Sequence, residues 1–254
     1  MSGRGGETIV FVHGFPMSNR VWDGQVEALS KRCRCIVPDL RGFGASANHV
    51  ESLDLDHIAD DIAALLRHEG ADRAHIVGVS LGGMVAIRFA ARYPELTKSL
   101  VVLHADAAPD DAEAIHRRNL QIASVLEHGV KAFVAEFASG LFPKGTNEKI
   151  IAKIRSIMGG TSQATVIAGL KLLRDRPDQT GQLSTIECPT LVIAGELDAG
   201  SPPHVLREMA SEFQNGQFLE LEGAGHMSIM QMPDIVSNCL SDWILRQATP
   251  DVPR

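Results

Sequence analysis

The segment HIVGVSLGGMVAIRFAARYP, residues 75–94, joins a short apolar run to a longer one through a glycine-rich turn. HIVG (75–78) has the composition of a buried strand, and LGGMVAIRFAARYP (81–94) predicts an apolar helix. Ser80 stands at the apex of the turn between them. A turn this sharp strains the backbone, and the small residues Gly78 and Gly82 give it room. The segment therefore predicts a strand, a tight turn and a helix, with a serine at the carboxyl end of the strand.

Similar runs rich in Val, Ile and Leu recur along the chain, as expected for strands that are buried on both faces. They are TIVFVH (8–13), CIVP (35–38), HIVG (75–78), SLVVLH (99–104), TLVIAG (190–195) and QFLEL (217–221). Helical patterns lie between them, and one of these, within 55–70, has an apolar stripe formed by Ile58, Ile62, Leu65 and Leu66. The alternation predicts an α/β fold: a mostly parallel sheet of about six strands with helices on both faces.

The alternation is interrupted between His104 and Thr190, where no strand is predicted. Four amphipathic segments occupy this region instead, and all four predict helices: 112–129, 130–139, 147–158 and 163–174. A long helical insertion between two strands usually packs over another part of the protein. We therefore expect a helical cap at 107–183, inserted into a core formed by 1–106 and 184–254.

Composition and charge argue against several classes of function. The chain has 254 residues, 31 acidic and 24 basic, with a formal net charge of -7. It has no basic cluster of the kind that binds nucleic acid, no apolar run long enough to span a membrane and no signal-peptide pattern. The cysteines do not have zinc-site spacing, so we expect idle thiols and a cytoplasmic location; they are Cys33, Cys35, Cys188 and Cys239. His, Asp and Glu do not cluster at metal-ligand spacing, and phosphate and dinucleotide motifs are absent, so we expect neither a metal nor a cofactor.

Three motifs follow the later strands. HADAA places Asp106 after one strand, GELDAGSP places Asp198 after the next, and GAGHMS places His226 after the last. The carboxyl ends of parallel strands meet at one edge of a sheet, where Ser80 is also expected. Ser80 is therefore predicted to be a nucleophile and His226 its general base. Asp198 is favoured over Asp106 as the acid that orients the histidine, and Glu196 is interpreted as a turn residue.

Taken in order, these motifs resemble the α/β-hydrolase family, especially short carboxylesterases and 3-oxoadipate enol-lactonase-like hydrolases with a helical cap. The resemblance extends from Ile9 to Trp243. It rests on five segments: HGFP (13–16) as an oxyanion loop, DLRGFGAS (39–46) as the loop beneath it, GVSLG (78–82) as a nucleophile elbow, GELDAGSP (195–202) as the acid turn and GAGHM (223–227) as the base turn. The resemblance implies an oxyanion hole formed by the backbone N–H groups of Phe15 and Leu81, with His13 organising the loop.

The chain departs from the family pattern in two places. Only seven residues precede the first strand, so the usual N-terminal hairpin is expected to be missing. The strand around Ile36 then becomes an edge, which Arg34 is expected to help protect. Enol-lactonases often have an NS-type loop and a cap tryptophan. This chain has HG instead, and its tryptophans, Trp22 and Trp243, lie outside the predicted cap, which weighs against an enol-lactonase.

The residues expected around the substrate are mostly apolar. The candidate contacts are Phe15, Trp22, Met84, Phe133, Phe137 and Met227, although core packing is the better explanation for Trp22. The cap also supplies Leu141, Phe142, Ile167 and Leu170. Three cations could pair with a substrate carboxylate but are interpreted as surface residues: Arg117, Arg118 and Lys144. His104 and His204 have no identifiable chemistry.

The predicted activity is hydrolysis of small to medium apolar carboxylic esters through an acyl-enzyme intermediate. A small-molecule ester is thus the expected partner. Two alternatives remain open. The same residues could open lactones or cleave carbon–carbon bonds, and some proteins of this fold are low-turnover receptors for small molecules.

Overall fold

The computed structural model describes residues 6–46 and 50–248. Six strands form one sheet that is parallel throughout. They are β1 (Glu7–Val12), β2 (Cys33–Ile36), β3 (Ala74–Val79), β4 (Thr97–Leu103), β5 (Thr190–Gly195) and β6 (Gly216–Leu221). The prediction of a mostly parallel sheet of about six strands is confirmed.

The strand order is β2-β1-β3-β4-β5-β6. From β1 the chain moves to one side to form β2 and then returns to form β3 on the other side of β1. The order therefore reverses between β1 and β3, and ligands of open α/β sheets bind beyond the carboxyl ends of the strands at such a reversal. The loop after β1 carries HGFP and the turn after β3 carries Ser80, so the fold brings these two segments together.

Helices cover both faces of the sheet. On one face α2 (Leu55–His68) packs against α3 (Leu81–Arg92), and on the other α1 (Asp23–Leu29) packs against the C-terminal helix (Pro233–Ala248). Three members of the predicted stripe on α2, Ile58, Ile62 and Leu66, are buried, which accounts for its helical spacing.

The segment between β4 and β5 is helical, as expected. It contains α4 (Ala112–Gly140), α5 (Glu148–Met158) and α6 (Gln163–Asp175). The helix α4 is broken at Gly129, where φ is 79°, so its two halves match the two helices predicted over 112–129 and 130–139. A positive φ is a conformation that glycine adopts without steric cost. The limits of the cap at 107 and 183 stay a prediction.

The remaining helices are α7 (Pro203–Glu212), the single turn α8 (Ser228–Gln231) and the C-terminal helix, α9. In the described part of the chain no helix is both long and apolar enough to cross a membrane.

The strand β2 lies at one edge of the sheet, and no other described strand pairs with its outer side. Arg34 donates a hydrogen bond of 2.9 Å to the backbone carbonyl of Glu69, which connects the edge strand to the end of α2. The neighbouring thiols of Cys33 and Cys35 are buried, and burial raises the pKa of Cys35 to about 11. Both thiols are therefore protonated and poorly reactive.

Candidate active site

Ser80 occupies the sharp turn between β3 and α3. Its φ and ψ are 55° and −123°, a strained conformation for a residue with a side chain. A methyl group on Gly78 would lie 2.0 Å from the carbonyl oxygen of Gly82, and one on Gly82 would lie 2.1 Å from that of Val12. Both positions therefore require glycine, as expected from the sequence. The tight turn leaves the Ser80 side chain partly exposed at the carboxyl end of the sheet.

Ser80, His226 and Asp198 are joined by two hydrogen bonds. The Oγ atom of Ser80 lies 3.0 Å from Nε2 of His226, and Nδ1 of His226 lies 2.9 Å from Oδ2 of Asp198. The carboxylate is buried, whereas the histidine side chain is 15% exposed. Because an ionised carboxylate only accepts hydrogen bonds, Nδ1 of His226 carries the proton and Nε2 can accept the hydrogen of the serine hydroxyl.

The Asp198 carboxylate receives four hydrogen bonds. Its Oδ1 accepts from the backbone N–H groups of Gly200 and Ser201, and its Oδ2 accepts from His226 and from a second histidine, His104. Burial acts to raise the pKa of this carboxyl group, but the hydrogen bonds from the two histidines outweigh it and hold the pKa far below its usual range. Asp198 is therefore ionised at neutral pH.

The other two acidic residues considered for this role point elsewhere. The carboxylate of Asp106 accepts a hydrogen bond of 3.1 Å from the N–H of Ala108, within its own loop. Glu196 is exposed and accepts a hydrogen bond of 2.7 Å from the N–H of Gly223, which agrees with its interpretation as a turn residue. Of the three, the geometry joins Asp198 alone to His226.

Two backbone N–H groups near Ser80 have no acceptor among the described residues. One belongs to Leu81, the first residue of α3, where helix geometry leaves the N–H free and the helix dipole is positive. The other belongs to Phe15 in the loop after β1. This loop lies against the serine, because a methyl group on Gly14 would be 3.2 Å from Cβ of Ser80. The assignment of these two groups to an oxyanion hole stays a prediction.

His13 holds this loop in place. Its Nδ1 donates to the carbonyl of Gly14 at 2.8 Å, and its Nε2 accepts a hydrogen bond of 3.0 Å from the N–H of Leu40. The side chain thus connects the loop after β1 to the loop after β2. Burial lowers the pKa of His13 to about 4, so the imidazole is neutral and keeps the tautomer that both contacts need. These contacts agree with the role expected for His13 as an organiser of the loop.

An aromatic cluster connects the loop after β1 to the second half of α4. The ring of Phe15 lies 6.2 Å from that of Phe133 and 6.0 Å from that of Phe137, and the latter two stack at 5.0 Å. Phe43 contacts Phe15 from the core side at 6.3 Å. On α6, Gly169 leaves space for the same ring, because a methyl group there would be 2.4 Å from Phe15. The helical segment therefore covers the loop next to Ser80.

The helical segment also contacts the loop that carries the histidine. A methyl group on Gly225 would lie 2.6 Å from the ring of Pro143 and 3.2 Å from the carbonyl of Leu141. A further contact is made at the turn between α5 and α6, where the hydroxyl of Thr161 donates to the carbonyl of Pro16 at 3.2 Å. The segment between β4 and β5 thus lies against both loops that flank the serine.

Comparison with known proteins places this arrangement in a family. Residues 9–238 match the model of the alpha/beta hydrolase family. The chain belongs to the α/β-hydrolase family. A protein from Pantoea ananatis, named as a proposed carbamate hydrolase, is 31% identical over 252 residues, which cover 96% of this chain and 90% of the relative.

Two solved structures resemble the hydrolase closely. The first is a thermophilic esterase from Thermogutta terrifontis, which is 33% identical, with a TM-score of 0.92 and coverage of 98% of this chain and 92% of the esterase. The second is the enol-lactonase from Burkholderia xenovorans, which is 23% identical, with a TM-score of 0.89 and coverage of 96% and 94%. At that identity the second likeness shows the fold alone.

Three further residues of this hydrolase are candidate substrate contacts, and their side chains lie in different places. Met84 is one turn into α3 from Ser80, and Met227 follows His226; both side chains are buried. The Trp22 ring is fully buried and packs against Phe11 at 4.9 Å. The structure therefore places Trp22 in the core of the hydrolase, as its ring is enclosed against the sheet. The prediction of Trp22 as a substrate contact is not supported.

His104 is the residue at the site that sequence reasoning missed. It follows β4 directly, has a φ of 53° and is fully buried. Its Nδ1 lies 3.0 Å from Oδ2 of Asp198, and its Nε2 lies 2.7 Å from Oγ of Ser228. The signal that could have revealed it is its position at the carboxyl end of a strand, at the same edge as Ser80.

Among the residues that the structure describes, His104, Asp198 and His226 form a group that could hold a metal ion, because their ligand atoms lie within 4.8 Å of one another. Sequence spacing did not reveal this cluster, since its members come from three separate loops. Two nitrogens and a carboxylate oxygen form a donor set that suits zinc. The same atoms are, however, engaged in hydrogen bonds with each other, and Asp198 would have to release donors in order to bind an ion. We therefore attribute the cluster to hydrogen bonding.

The three cations predicted to lie at the surface divide into two groups. Arg117 and Lys144 are exposed, as expected. The prediction is wrong for Arg118. Its side chain is only 16% exposed, because its Nε donates to the buried carboxylate of Asp110 at 3.2 Å. Arg176 also forms an ion pair with this carboxylate. Burial lowers the pKa of Arg118, opposed by Asp110, and the guanidinium is paired rather than available to a ligand.

Proposed function

We propose that this chain is a serine hydrolase that cleaves small to medium, uncharged apolar carboxylic esters through an acyl-enzyme intermediate. The observation that carries the proposal is the hydrogen-bonded line from Ser80 through His226 to Asp198, at 3.0 and 2.9 Å. Ser80 is the nucleophile, His226 the general base and Asp198 the residue that orients it.

The first half-reaction forms the acyl-enzyme. Oγ of Ser80 attacks the ester carbonyl carbon while Nε2 of His226 takes the hydroxyl proton. The carbonyl electron pair moves to oxygen, and the N–H groups of Phe15 and Leu81 stabilise the resulting oxyanion. When the tetrahedral intermediate collapses, the bond to the alcohol oxygen breaks and His226 returns the proton to the leaving alkoxide.

The second half-reaction releases the acid. His226 removes a proton from a water molecule, whose oxygen attacks the acyl carbon. The same two N–H groups stabilise the second oxyanion, and collapse returns the proton from His226 to Oγ of Ser80. Throughout, Asp198 keeps the proton of His226 on Nδ1 and balances the charge of the imidazolium.

The preference for uncharged apolar substrates rests on the surroundings of the serine. Phe15, Phe133 and Phe137 form an apolar wall beside it. A substrate carboxylate buried here would need a cation as its partner. Burying a charge without a partner costs on the order of several kcal/mol. Arg118 is already paired with Asp110, and Arg117 is exposed. An enol-lactone that carries a carboxylate is therefore a poor fit.

A second candidate activity is carbamate hydrolysis, because the relative from Pantoea ananatis is named as a proposed carbamate hydrolase. Carbamates and esters share a carbonyl carbon that a serine can attack, so the same residues and steps would serve. The apolar wall and the similarity to the esterase from Thermogutta terrifontis favour an ester as the substrate.

We place the reaction in the cytoplasm, where the four cysteines would stay free. We propose no cofactor, because the steps above need none.

The test compares Ser80→Ala with Ser156→Ala, a change at an exposed serine on α5. We expect Ser80→Ala to hydrolyse p-nitrophenyl butyrate about 10⁶-fold more slowly than the wild type, as for loss of the serine in a triad. Ser156→Ala should keep full activity. A fluorophosphonate should add one mass increment to the wild type and to Ser156→Ala, but none to Ser80→Ala.

Two outcomes would contradict the proposal. Labelling of a serine other than Ser80 would show that the nucleophile is wrong. A single stoichiometric burst of p-nitrophenol with no further turnover would indicate a receptor-like protein that traps its ligand instead of an enzyme.

A further inference from the structure

We propose that His104 is a positioning residue of this site: together with Ser228 it forms a second histidine arm on Asp198 and sets how strongly that carboxylate holds His226. The inference rests on the proposed function, because it concerns the residue that orients the general base.

The two arms meet at one oxygen atom. Oδ2 of Asp198 lies 2.9 Å from Nδ1 of His226 and 3.0 Å from Nδ1 of His104. Beyond the histidines the pattern repeats, because Nε2 of His226 faces the hydroxyl of Ser80 at 3.0 Å and Nε2 of His104 faces that of Ser228 at 2.7 Å. The arms differ in burial: Ser80 and His226 are partly exposed, whereas His104 and Ser228 are fully buried. Only the first arm can meet a substrate.

The protonation state of the second arm follows from its partners. The ionised carboxylate cannot donate, so Nδ1 of His104 must carry the proton, and Nε2 must then accept the hydrogen of the Ser228 hydroxyl. Burial lowers the pKa of His104, which keeps the ring neutral, although Asp198 opposes this. His104 therefore gives Asp198 a hydrogen bond without adding a charge.

The backbone of His104 is fixed from two sides. Its N–H donates to the carbonyl of Ile193 in β5 at 3.0 Å, and its carbonyl accepts from the hydroxyl of Ser201 at 3.1 Å. The φ of 53° is in the left-handed region, which is uncommon for a residue other than glycine. Such strain persists where the surroundings over-determine the conformation, and it is concentrated at functional sites. The strained backbone directs the imidazole at Asp198.

A second donor on Oδ2 changes what the carboxylate does for His226. Each hydrogen bond withdraws negative charge from the oxygen, so Asp198 stabilises the protonated form of His226 less strongly than it would with one donor. The titratable groups that act on His104 are Asp198, from the loop after β5, and His226, from the loop after β6. Asp106, in the loop of His104 itself, is engaged with the N–H of Ala108. Loss of the His104 donor should therefore strengthen the hold of Asp198 on Nδ1 of His226 and move the low-pH limb of activity toward higher pH.

The test compares His104→Leu, which removes the donor, with His104→Asn, whose amide N–H₂ can still donate to Asp198 and whose side chain tolerates a positive φ. For His104→Leu we expect the low-pH limb of the kcat/KM profile to move by about half a pH unit to one pH unit toward higher pH. We also expect kcat at neutral pH to fall about tenfold, as for loss of one hydrogen bond to a charged group. His104→Asn should restore most of both. His116→Leu, at an exposed histidine on α4, is the matched control and should match the wild type.

The profile distinguishes positioning from a merely structural role. If His104→Leu lowers kcat but leaves the low-pH limb in place, or if His104→Asn is as impaired as His104→Leu, the inference fails. The proposed function fails separately, through an active Ser80→Ala.

A measurement on the wild type covers the case in which His104→Leu does not fold. In protein with ¹⁵N-labelled histidine, the ring nitrogens of His104 should report a neutral imidazole with the proton on Nδ1 at neutral pH. A proton on Nε2, or an imidazolium at neutral pH, would overturn the inference.

Discussion

Asp198 accepts four hydrogen bonds and is almost completely buried, which is costly for a carboxylate unless each lone pair has a partner. Two of the donors are backbone N–H groups of the turn that follows β5, and two are histidines from the ends of neighbouring strands. The turn therefore fixes the oxygen atoms, and His226 takes its orientation from them. Asp106, one strand earlier, uses its carboxylate to cap its own loop instead.

This difference predicts the outcome of two matched substitutions. Asp198→Asn places an amide against Nδ1 of His226 and favours the wrong tautomer, so we expect kcat to fall by about 10⁴, as with a triad aspartate. Asp106→Asn keeps an acceptor for the N–H of Ala108 and should retain activity within a few-fold. The measurement is kcat with p-nitrophenyl butyrate at neutral pH. A crippled Asp106→Asn beside an active Asp198→Asn would reassign the acid to β4.

At the scale of single residues, the sequence could predict those site residues that lie within recognisable motifs. Ser80, Asp198 and His226 each follow a strand inside a short, glycine-containing motif, and the structure brings these three together. His104 could not be found this way, because its partners, Asp198 and Ser228, are 94 and 124 positions away. The burial of Arg118 was missed because its partner Asp110 also pairs with Arg176, 66 positions away, and only the folded chain brings the three together.

At the scale of elements, one constraint is the close approach of α3 to the sheet. The start of α3 lies so near to the end of β1 that Gly82 has no room for a side chain next to Val12. The strands could be predicted because buried parallel strands are continuous apolar runs, as in TLVIAG over 190–195, which matches β5 residue for residue. The edge strand β2 begins and ends two residues earlier than expected. Its start was missed because Arg34 interrupts the apolar run, and its end because Pro38 cannot donate to the ladder.

The close approach makes Gly82→Ala a severe substitution. A methyl group 2.1 Å from the Val12 carbonyl would force α3 away from β1, and the free energy of unfolding should fall by about 3 kcal/mol or more, the upper range for overpacking. Gly140→Ala, at the end of α4 with no atom within 4 Å of the new methyl group, is the control and should be neutral or stabilising by up to about 1 kcal/mol. Urea unfolding at neutral pH measures both. Equal stabilities would mean that α3 and β1 can separate at little cost.

At the scale of the whole molecule, the helical segment and the sheet meet around Ser80. The loops after β1 and β6 lie beneath residues of α4, of the segment that follows it and of α6, through Phe15 on one side and Gly225 on the other. The presence of an insertion could be read from the interruption of the strand pattern, and its four helical segments from their periodicity. Which of its side chains turn inward could not, because both halves of α4 are amphipathic and the break at Gly129 resets the phase between them.

The position of Phe137 yields a prediction about substrate length. Its ring packs against Phe15 and Phe133 and closes part of the apolar wall beside the serine. For the wild type, kcat/KM with p-nitrophenyl esters should rise about fourfold for each added methylene, which corresponds to about 0.8 kcal/mol, until the pocket is full, and then fall. Phe137→Ala removes one ring from this wall and should move the maximum to longer acyl chains. Short esters should lose activity because the wall no longer packs against them.

The control for this series lies on the other half of α4. Leu126→Ala removes a side chain that is 62% exposed, so it should leave the length of the best acyl chain unchanged. If Phe137→Ala and the wild type share the same maximum, Phe137 does not line the acyl site. A carboxylate-bearing lactone that outpaces every neutral ester in the wild type would contradict the apolar pocket itself. Arg118 would then have to exchange Asp110 for the substrate, and Arg118→Ala would be the variant to lose the lactone while it keeps the esters.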